Sequence, residues 1–324
     1  MAVRNFFRLV AGILGCVLLG AGGANALDWP TRPVTIVVPL AAGGNTDMMA
    51  RIAAQRLSEK FGQPFIVENR VSAGGAIAAS QVAAAHPDGY MMLFSPSSTL
   101  LLTPLVQKVN FDADKQLVPI TNVGTGTQVI AIRRDLPVKT LREFIAYAKA
   151  NPGKLNFVTA GANNLTHLAP ALLFARAGVD VVMIPAKGGP QAVSDVMSGQ
   201  VDFYFGNASE LLQHAGSDKI RLLAVGTARR NPVAPDLPAV AEDYPGFEFS
   251  SWNGFSVPTG TPEEIVTAIR REVIAVAKSP EVVERLSKLG IIPGGLSAEE
   301  TAAVFKKDKE SFTAAVKAAG IAPP

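Results

Sequence analysis

Pro33-Val34-Thr35-Ile36-Val37-Val38-Pro39-Leu40-Ala41-Ala42-Gly43-Gly44-Asn45-Thr46-Asp47 decides how this chain is read. A β-branched run between two prolines predicts a buried strand, because branched side chains fill a pleated surface and proline interrupts the ladder. The glycine pair predicts a tight turn. Beyond it, Met49, Ala53, Leu57 and Phe61 recur every four residues and predict one apolar helix face. Strand, glycine-rich turn and helix together make the unit of an α/β lobe.

The unit recurs outward from there. Phe65-Ile66-Val67-Glu68 predicts a strand, followed by Ser72-Ala73-Gly74-Gly75 and an alanine-rich helix; a third strand over 90–95 leads to Ser97-Ser98-Thr99. A second series starts with a strand over 129–132 and a capping box, Thr140-Leu141-Arg142-Glu143, that opens a helix. A strand over 155–158 runs into Thr159-Ala160-Gly161-Ala162-Asn163-Asn164 and a helix from about 166 to 177, and a strand over 179–184 ends at Lys187-Gly188-Gly189-Pro190. Strands over 201–205 and 220–225 follow, and Thr261-Pro262-Glu263-Glu264 and Ser297-Ala298-Glu299-Glu300 open two C-terminal helices.

Composition excludes several function classes. The 324 residues predict two domains or lobes, and 48% hydrophobic with 18% charged residues describes a globular protein. A single cysteine, Cys16, excludes an intramolecular disulfide and a cysteine-cluster metal site, and no metal-ligand spacing links His86, His167 and His214. No cofactor is expected. Gly124-Thr125-Gly126 lacks the third glycine of a dinucleotide loop because Val129 stands there, and neither a phosphate loop nor a GxSxG nucleophile elbow occurs.

Arg4 and Arg8 precede an apolar, glycine-rich run over 9–23 and Ala24-Asn25-Ala26, the pattern of a secretory signal peptide (1–26) cleaved after Ala26. The rival is a lipoprotein box, Ile13-Leu14-Gly15-Cys16, with Cys16 lipidated. The apolar run continues past it through Val17-Leu18-Leu19, which favours simple export. Without the two leader arginines, 28 basic residues face 27 acidic ones, which is no footprint for nucleic acid.

Four turns, 41–47, 72–75, 160–166 and 187–190, each follow a strand and precede a helix. In open parallel sheets such turns gather at the strands' carboxyl ends, where ligands bind, and unpaired helix N–H groups there favour an anion. The plain alternative is that the glycines only permit tight turns. His167, in a first helical turn, suits a neutral ring that bonds ligand or loop, or one that locks its own turn. Asp47 suits a polar ligand contact, or the structural role of an acid in a helix's first turn. His86 reads as a turn residue and His214 as solvated.

Taken in order, the motifs resemble one family. They are Trp29-Pro30-x-Arg32-Pro33, Ala42-Gly43-Gly44-x-x-Asp47-x-x-Ala50-Arg51, Val67-Glu68-Asn69-Arg70, Ala73-Gly74-Gly75 and Pro87-Asp88-Gly89-Tyr90. Asn151-Pro152-Gly153-Lys154-Leu155, Thr166-His167-Leu168-Ala169, Lys187-Gly188-Gly189, Gly199-Gln200-Val201-Asp202 and Ser251-Trp252-x-Gly254 complete the set. The whole chain from Trp29 onward is similar to the substrate-binding proteins of tripartite tricarboxylate transporters, the Bug or TctC family.

The resemblance implies a two-lobed periplasmic binding protein of the type II-like α/β class. Each lobe would hold a mainly parallel sheet flanked by helices, with the ligand in the interlobe cleft. Lobe 1 would be discontinuous, 27–124 plus 252–324, and lobe 2 would span 125–251, with crossovers near 123–128 and 248–252. The implied partners are a small carboxylate ligand and the integral-membrane permease subunits, and the implied protein is a periplasmic monomer with no catalytic residue. The family's ligand shell maps onto Leu40, Ala42, Gly43, Gly44, Asp47, Ser95, Ser97, Ser98, Thr159, Gly161, Asn163, Asn164, His167 and Asn207, with Thr99 and Thr166 as further hydroxyls.

Two departures stand out. Leu40-Ala41-Ala42 replaces the family's usual Phe-Pro-Ala, and Gly206-Asn207 replaces a common Asp-Asn pair. The second removes a carboxylate and implies that a plain organic acid suits the pocket better than an amino acid. The alternatives are an exported α/β enzyme for organic acids, with His167 as base and Asp47 as its partner, and a receptor that presents its ligand to a membrane sensor.

Overall fold

The computed structural model describes residues 28–161, 164–232 and 234–318, with Ala73 described in its backbone only. The expected signal peptide (1–26), Cys16 within it, and Asn163 lie outside the described residues.

The first series folds as expected. Strand β1 (Val34–Val38) lies between β2 (Phe65–Asn69) and β3 (Met91–Pro96), parallel to both. Helix α1 (Asn45–Phe61) connects β1 to β2, and α2 (Ala76–Ala83) connects β2 to β3. Met49, Ala53 and Leu57 are fully buried on α1 and pack against Val34, Ile36 and Val38.

Strand β4 (Leu117–Arg133) is seventeen residues long, and the 129–132 segment is only its end. The second series then places helix α3 (Leu141–Ala150), strand β5 (Asn156–Thr159), helix α4 (Leu165–Ala177), strand β6 (Val182–Pro185) and helix α5 (Gly189–Met197). Strands β7 (Phe203–Asn207) and β8 (Ile220–Val225) follow, and β5 pairs in parallel with both β6 and β7. The Thr140 hydroxyl accepts from the Glu143 N–H at 3.1 Å and caps α3, while the Glu143 carboxylate reaches back one residue further than a capping box does, to the Lys139 N–H at 2.6 Å.

Two lobes are joined by long strands. Residues 117–127 of β4 pair antiparallel with β9 (Ser250–Pro258), whereas 128–132 pair antiparallel with β7. The sheet order is therefore β2-β1-β3-β9-β4-β7-β5-β6, parallel toward each outer edge and antiparallel where the chain passes between lobes. The antiparallel centre follows from connectivity, since β4 leaves the first lobe and β9 re-enters it. After β9, α6 (Glu263–Lys278) packs Ile265, Val266 and Ile269 against the first-lobe core. Helix α7 (Pro280–Lys288), strand β10 (Ile291–Pro293, paired with β4) and helix α8 (Ala298–Ala318) complete the fold. No helix among the described residues is long and apolar enough to cross a membrane.

Candidate functional site

The strand-to-helix turns of both lobes meet around a cavity of about 70 Å³. Its wall takes Leu40, Gly44, Asn45 and Thr46 from the β1–α1 turn and Ser98 and Thr99 from the turn after β3. From the second lobe come Asn164 and Thr166 at the start of α4, Lys187 and Gly188 before α5, Asn207 at the end of β7 and Glu210 just after it. Gln128 of β4 and Ser251 and Asn253 of β9 close the side formed by the long strands.

Three helix N-termini converge here. The N-cap residues of α1, α4 and α5 are Gly44, Asn164 and Gly188; all three line the cavity, and none caps its helix through a side chain. Apart from the Asn45 N–H, which Glu210 Oε1 accepts, and Pro190, which has none, their first N–H groups carry no side-chain cap and can serve an anion, and the positive ends of three helix dipoles add to the attraction. Among the described residues Lys187 is the one cationic side chain in the wall and Glu210 the one carboxylate, so the site attracts anions chiefly through backbone and hydroxyl groups.

The β1–α1 turn is held from behind. Asp47, 3% exposed, accepts from the Gly43 N–H and Arg51 Nε through Oδ2 and from Asn69 Nδ2 through Oδ1, each at 2.9 Å. Asn69 Nδ2 also donates to the Leu40 carbonyl at 3.0 Å. Burial raises the Asp47 pKa, but the hydrogen bonds from Arg51, Gly43 and Asn69 outweigh it and hold the carboxyl below its usual range. Gly43 sits at φ +80°, where a β-carbon is strained.

Across the cleft, Glu210 is buried. Its Oε2 accepts from the Tyr204 hydroxyl at 3.1 Å, and Oε1 accepts from Asn207 Nδ2 at 3.3 Å and the Asn45 N–H at 3.4 Å. The last contact joins the lobes. Ser209 Oγ donating to Asn45 Oδ1 at 3.0 Å is a second bond between the lobes, and within the first lobe Thr46 Oγ1 donates to Asn253 Oδ1 at 2.7 Å. Burial pushes the Glu210 pKa up, and its hydrogen bonds offset this only in part.

That shift predicts a pH dependence. An acid with a raised folded-state pKa contributes stability that is fully present below the unfolded pKa and lost as pH rises through the folded pKa. Urea unfolding between about pH 4 and about pH 7 should show wild type losing ground to Glu210→Gln as pH rises. A pH-independent difference between the two would contradict a strained Glu210 charge.

Among the residues singled out from sequence, Leu40, Gly44, Ser98, Asn164 and Asn207 line the cavity, as do Thr99 and Thr166. Ala42, Gly43, Asp47, Ser95, Ser97, Thr159, Gly161 and His167 do not line it. Asp47 faces Arg51 and Asn69, and Ser97 Oγ lies 3.4 Å from Ser251 Oγ. Thr159 Oγ1 donates to the Gly161 carbonyl at 2.9 Å, which ties its own turn. Buried Ser95 stands one residue before the strand's end, behind the cavity wall. His167 lies flat beside Phe157, ring centroids 6.5 Å apart, and burial lowers its pKa. The dyad of the enzyme alternative is therefore not assembled: both Asp47 oxygens are committed within the first lobe. Trp252 also stays out of the cavity, its Nε1 donating to Asp308 Oδ2 at 2.8 Å.

Asn45, Gln128, Glu210, Ser251 and Asn253 are wall residues that the sequence reading missed. Glu210 supplies the wall with a carboxylate three residues after Asn207, although position 206 carries none. Gln128 carried a signal of its own, an amide in the otherwise apolar end of a strand.

A family model described as the tripartite tricarboxylate transporter family receptor matches residues 49–321. The chain belongs to that receptor family. It is 32% identical to the protein BugT of Bordetella pertussis over 322 residues, 98% of each chain. The receptor fold superposes on Rhodopseudomonas palustris Rpa4515, solved with adipate, with a TM-score of 0.88 at 34% identity, covering 92% of this chain and 100% of the other. On MatC of Rhodopseudomonas palustris, solved with malate, the TM-score is 0.83 at 29% identity, with 89% and 100% covered.

The receptor's Gly44 gives a direct test of the turn. Its φ of −77° suits any residue, and an added β-carbon would sit 3.4 Å from the Ala41 carbonyl and 3.8 Å from Glu210 Oε1. Gly44→Ala should therefore bind almost normally. Gly44→Val, whose methyls extend into the wall, should lose at least about tenfold in affinity. Normal affinity in folded Gly44→Val protein would leave this turn a purely structural role.

Proposed function

We propose that this receptor closes its lobes around a small organic acid and delivers it to the integral-membrane permease of a tripartite tricarboxylate transporter. The ligand is a di- or tricarboxylate or an aromatic carboxylate, and no chemistry is done on it. The observation that carries this reading is the convergence of three helix N-termini, none capped by its own N-cap side chain, from two lobes on one cavity whose described wall holds one cation, Lys187, and one carboxylate, Glu210, already bonded to protein donors. Adipate and malate in related receptors agree with it. Lobe 1 is then 27–124 plus 252–324 and lobe 2 is 125–251, a division supported by β4 exchanging β9 for β7 as its partner three residues further on, between Thr127 and Gln128. The signal peptide ends at Ala26, and the mature receptor acts in the periplasm as a monomer.

The test is thermal unfolding of residues 27–324 against a panel of organic acids. A ligand at a hundred times its dissociation constant adds about 2.7 kcal/mol to the folded state, and the melting temperature should rise accordingly. The bound acid should be recovered unchanged. A panel without any shift, or a chemically altered acid, would reject the proposal.

A further inference from the structure

We propose that Gln128 selects, among organic acids, those carrying a hydroxyl group on the carbon skeleton, a specificity that rests on the carboxylate-receptor reading above. Amide polarity is fixed here by a chain of hydrogen bonds. The Asn45 backbone N–H can only donate, and it points at Glu210 Oε1, so that oxygen is an acceptor. Asn207 shares the same oxygen and must therefore present its NH₂ to it, at 3.3 Å. The Asn207 carbonyl oxygen then faces Gln128, which must present its own NH₂, at 2.8 Å. Each amide is thereby turned by the one before it, and the chain of bonds ends on Gln128 Oε1.

That oxygen is a buried acceptor with no partner among the described residues. Gln128 itself is 1% exposed and lines the cavity. A buried amide oxygen left unpaired is costly, so a ligand that brings a donor to it gains what a ligand without one forfeits. A fully ionised carboxylate has no donor to offer. A hydroxyl on the chain does. An ammonium group also donates, but it brings a charge that needs a carboxylate of its own. Both Glu210 oxygens are already engaged by Tyr204, Asn207 and Asn45. Glu210 thus acts as a positioning residue, fixing which end of two amides faces the ligand.

Calorimetric titration of the mature receptor with matched pairs tests this: L- and D-malate against succinate, 2-hydroxyglutarate against glutarate, and L-aspartate as the amine-bearing arm. The expected result is a hydroxy acid bound at least about tenfold more tightly than its parent, and more tightly than the amine. In Gln128→Met, which keeps the volume but lacks the acceptor, the ratio should fall to within about twofold. In Glu210→Gln the first amide can turn either way, so the ratio should again shrink, a readout that a merely structural role would leave alone. Equal wild-type affinity for hydroxy and parent acids would overturn the proposal while leaving the receptor reading intact. Tighter binding of aspartate would assign the acceptor to an ammonium and overturn it as well. Binding of no acid at all would reject both.

Discussion

Replacing Gly206 with aspartate, the residue its relatives' pattern leads one to expect there, should severely destabilise the second lobe. A β-carbon on Gly206 would lie 2.0 Å from Cε1 and 2.2 Å from Cζ of Tyr204. Residues 204 and 206 share one face of β7, so the tyrosine ring folds back across the glycine. The ring has no other position available: Tyr204 is fully buried among Val129, Val158, Val193 and Val225. Its hydroxyl is committed to Glu210. Aspartate would force the ring aside and bury a second carboxylate near the first. Overpacking and an unpaired buried charge together should cost about 4 kcal/mol or more, roughly a 10 °C fall in melting temperature. Gly206→Ala should show the steric part alone, and adding Tyr204→Ala to it should recover part of the loss, which a double-mutant cycle measures. A Gly206→Asp protein that melts with wild type would refute the account.

The same geometry explains why that departure misleads when read from sequence. Position 206 lacks an acid because a tyrosine two residues earlier needs the space, and that tyrosine bonds an acid six residues after itself. Neither relation is visible along a single chain, since Tyr204 and Glu210 are ordinary residues until a strand and a turn bring them to 3.1 Å. The turns were legible because backbone chemistry marks them. Glycines after β-branched runs located the β1–α1, β5–α4 and β6–α5 junctions, and three of the cavity's helix starts lie there. The long strands were less so. Pro119, Asn122, Gly124 and Gly126 interrupt any period in β4, and the ladder with β9 slips between Pro119 and Thr121 and between Asn122 and Gly124. Irregular pairing hides a seventeen-residue strand from any alternation rule, and with it the wall residues Gln128, Ser251 and Asn253.

Asp47 shows the complementary case, an acid marked by its motif whose work lies behind the site. Asp47→Ala would leave the Gly43 N–H, Asn69 Nδ2 and Arg51 Nε without their acceptor. The Arg51 side chain is 53% exposed and water replaces much of its bond. The part-buried Gly43 and Asn69 contacts carry the loss, expected at about 3 kcal/mol, or roughly 8 °C in melting temperature. Ligand affinity should fall with stability, because Leu40 and Gly44 belong to the turn that Asp47 holds.

The pH response of this variant distinguishes its acid from Glu210. A carboxyl with a depressed folded-state pKa contributes stability that is present above the unfolded pKa and lost as pH falls through the folded value. The gap between wild type and Asp47→Ala should therefore narrow on acidification, whereas wild type should gain on Glu210→Gln over the descending range toward the unfolded carboxylate pKa. The two responses have opposite signs because one carboxylate is surrounded by donors that favour its charge and the other is buried more deeply than its donors can offset. Melting curves of the three proteins across one pH series measure both slopes. An Asp47→Ala gap that stays constant down to about pH 3 would mean the carboxylate's charge contributes nothing to holding the turn.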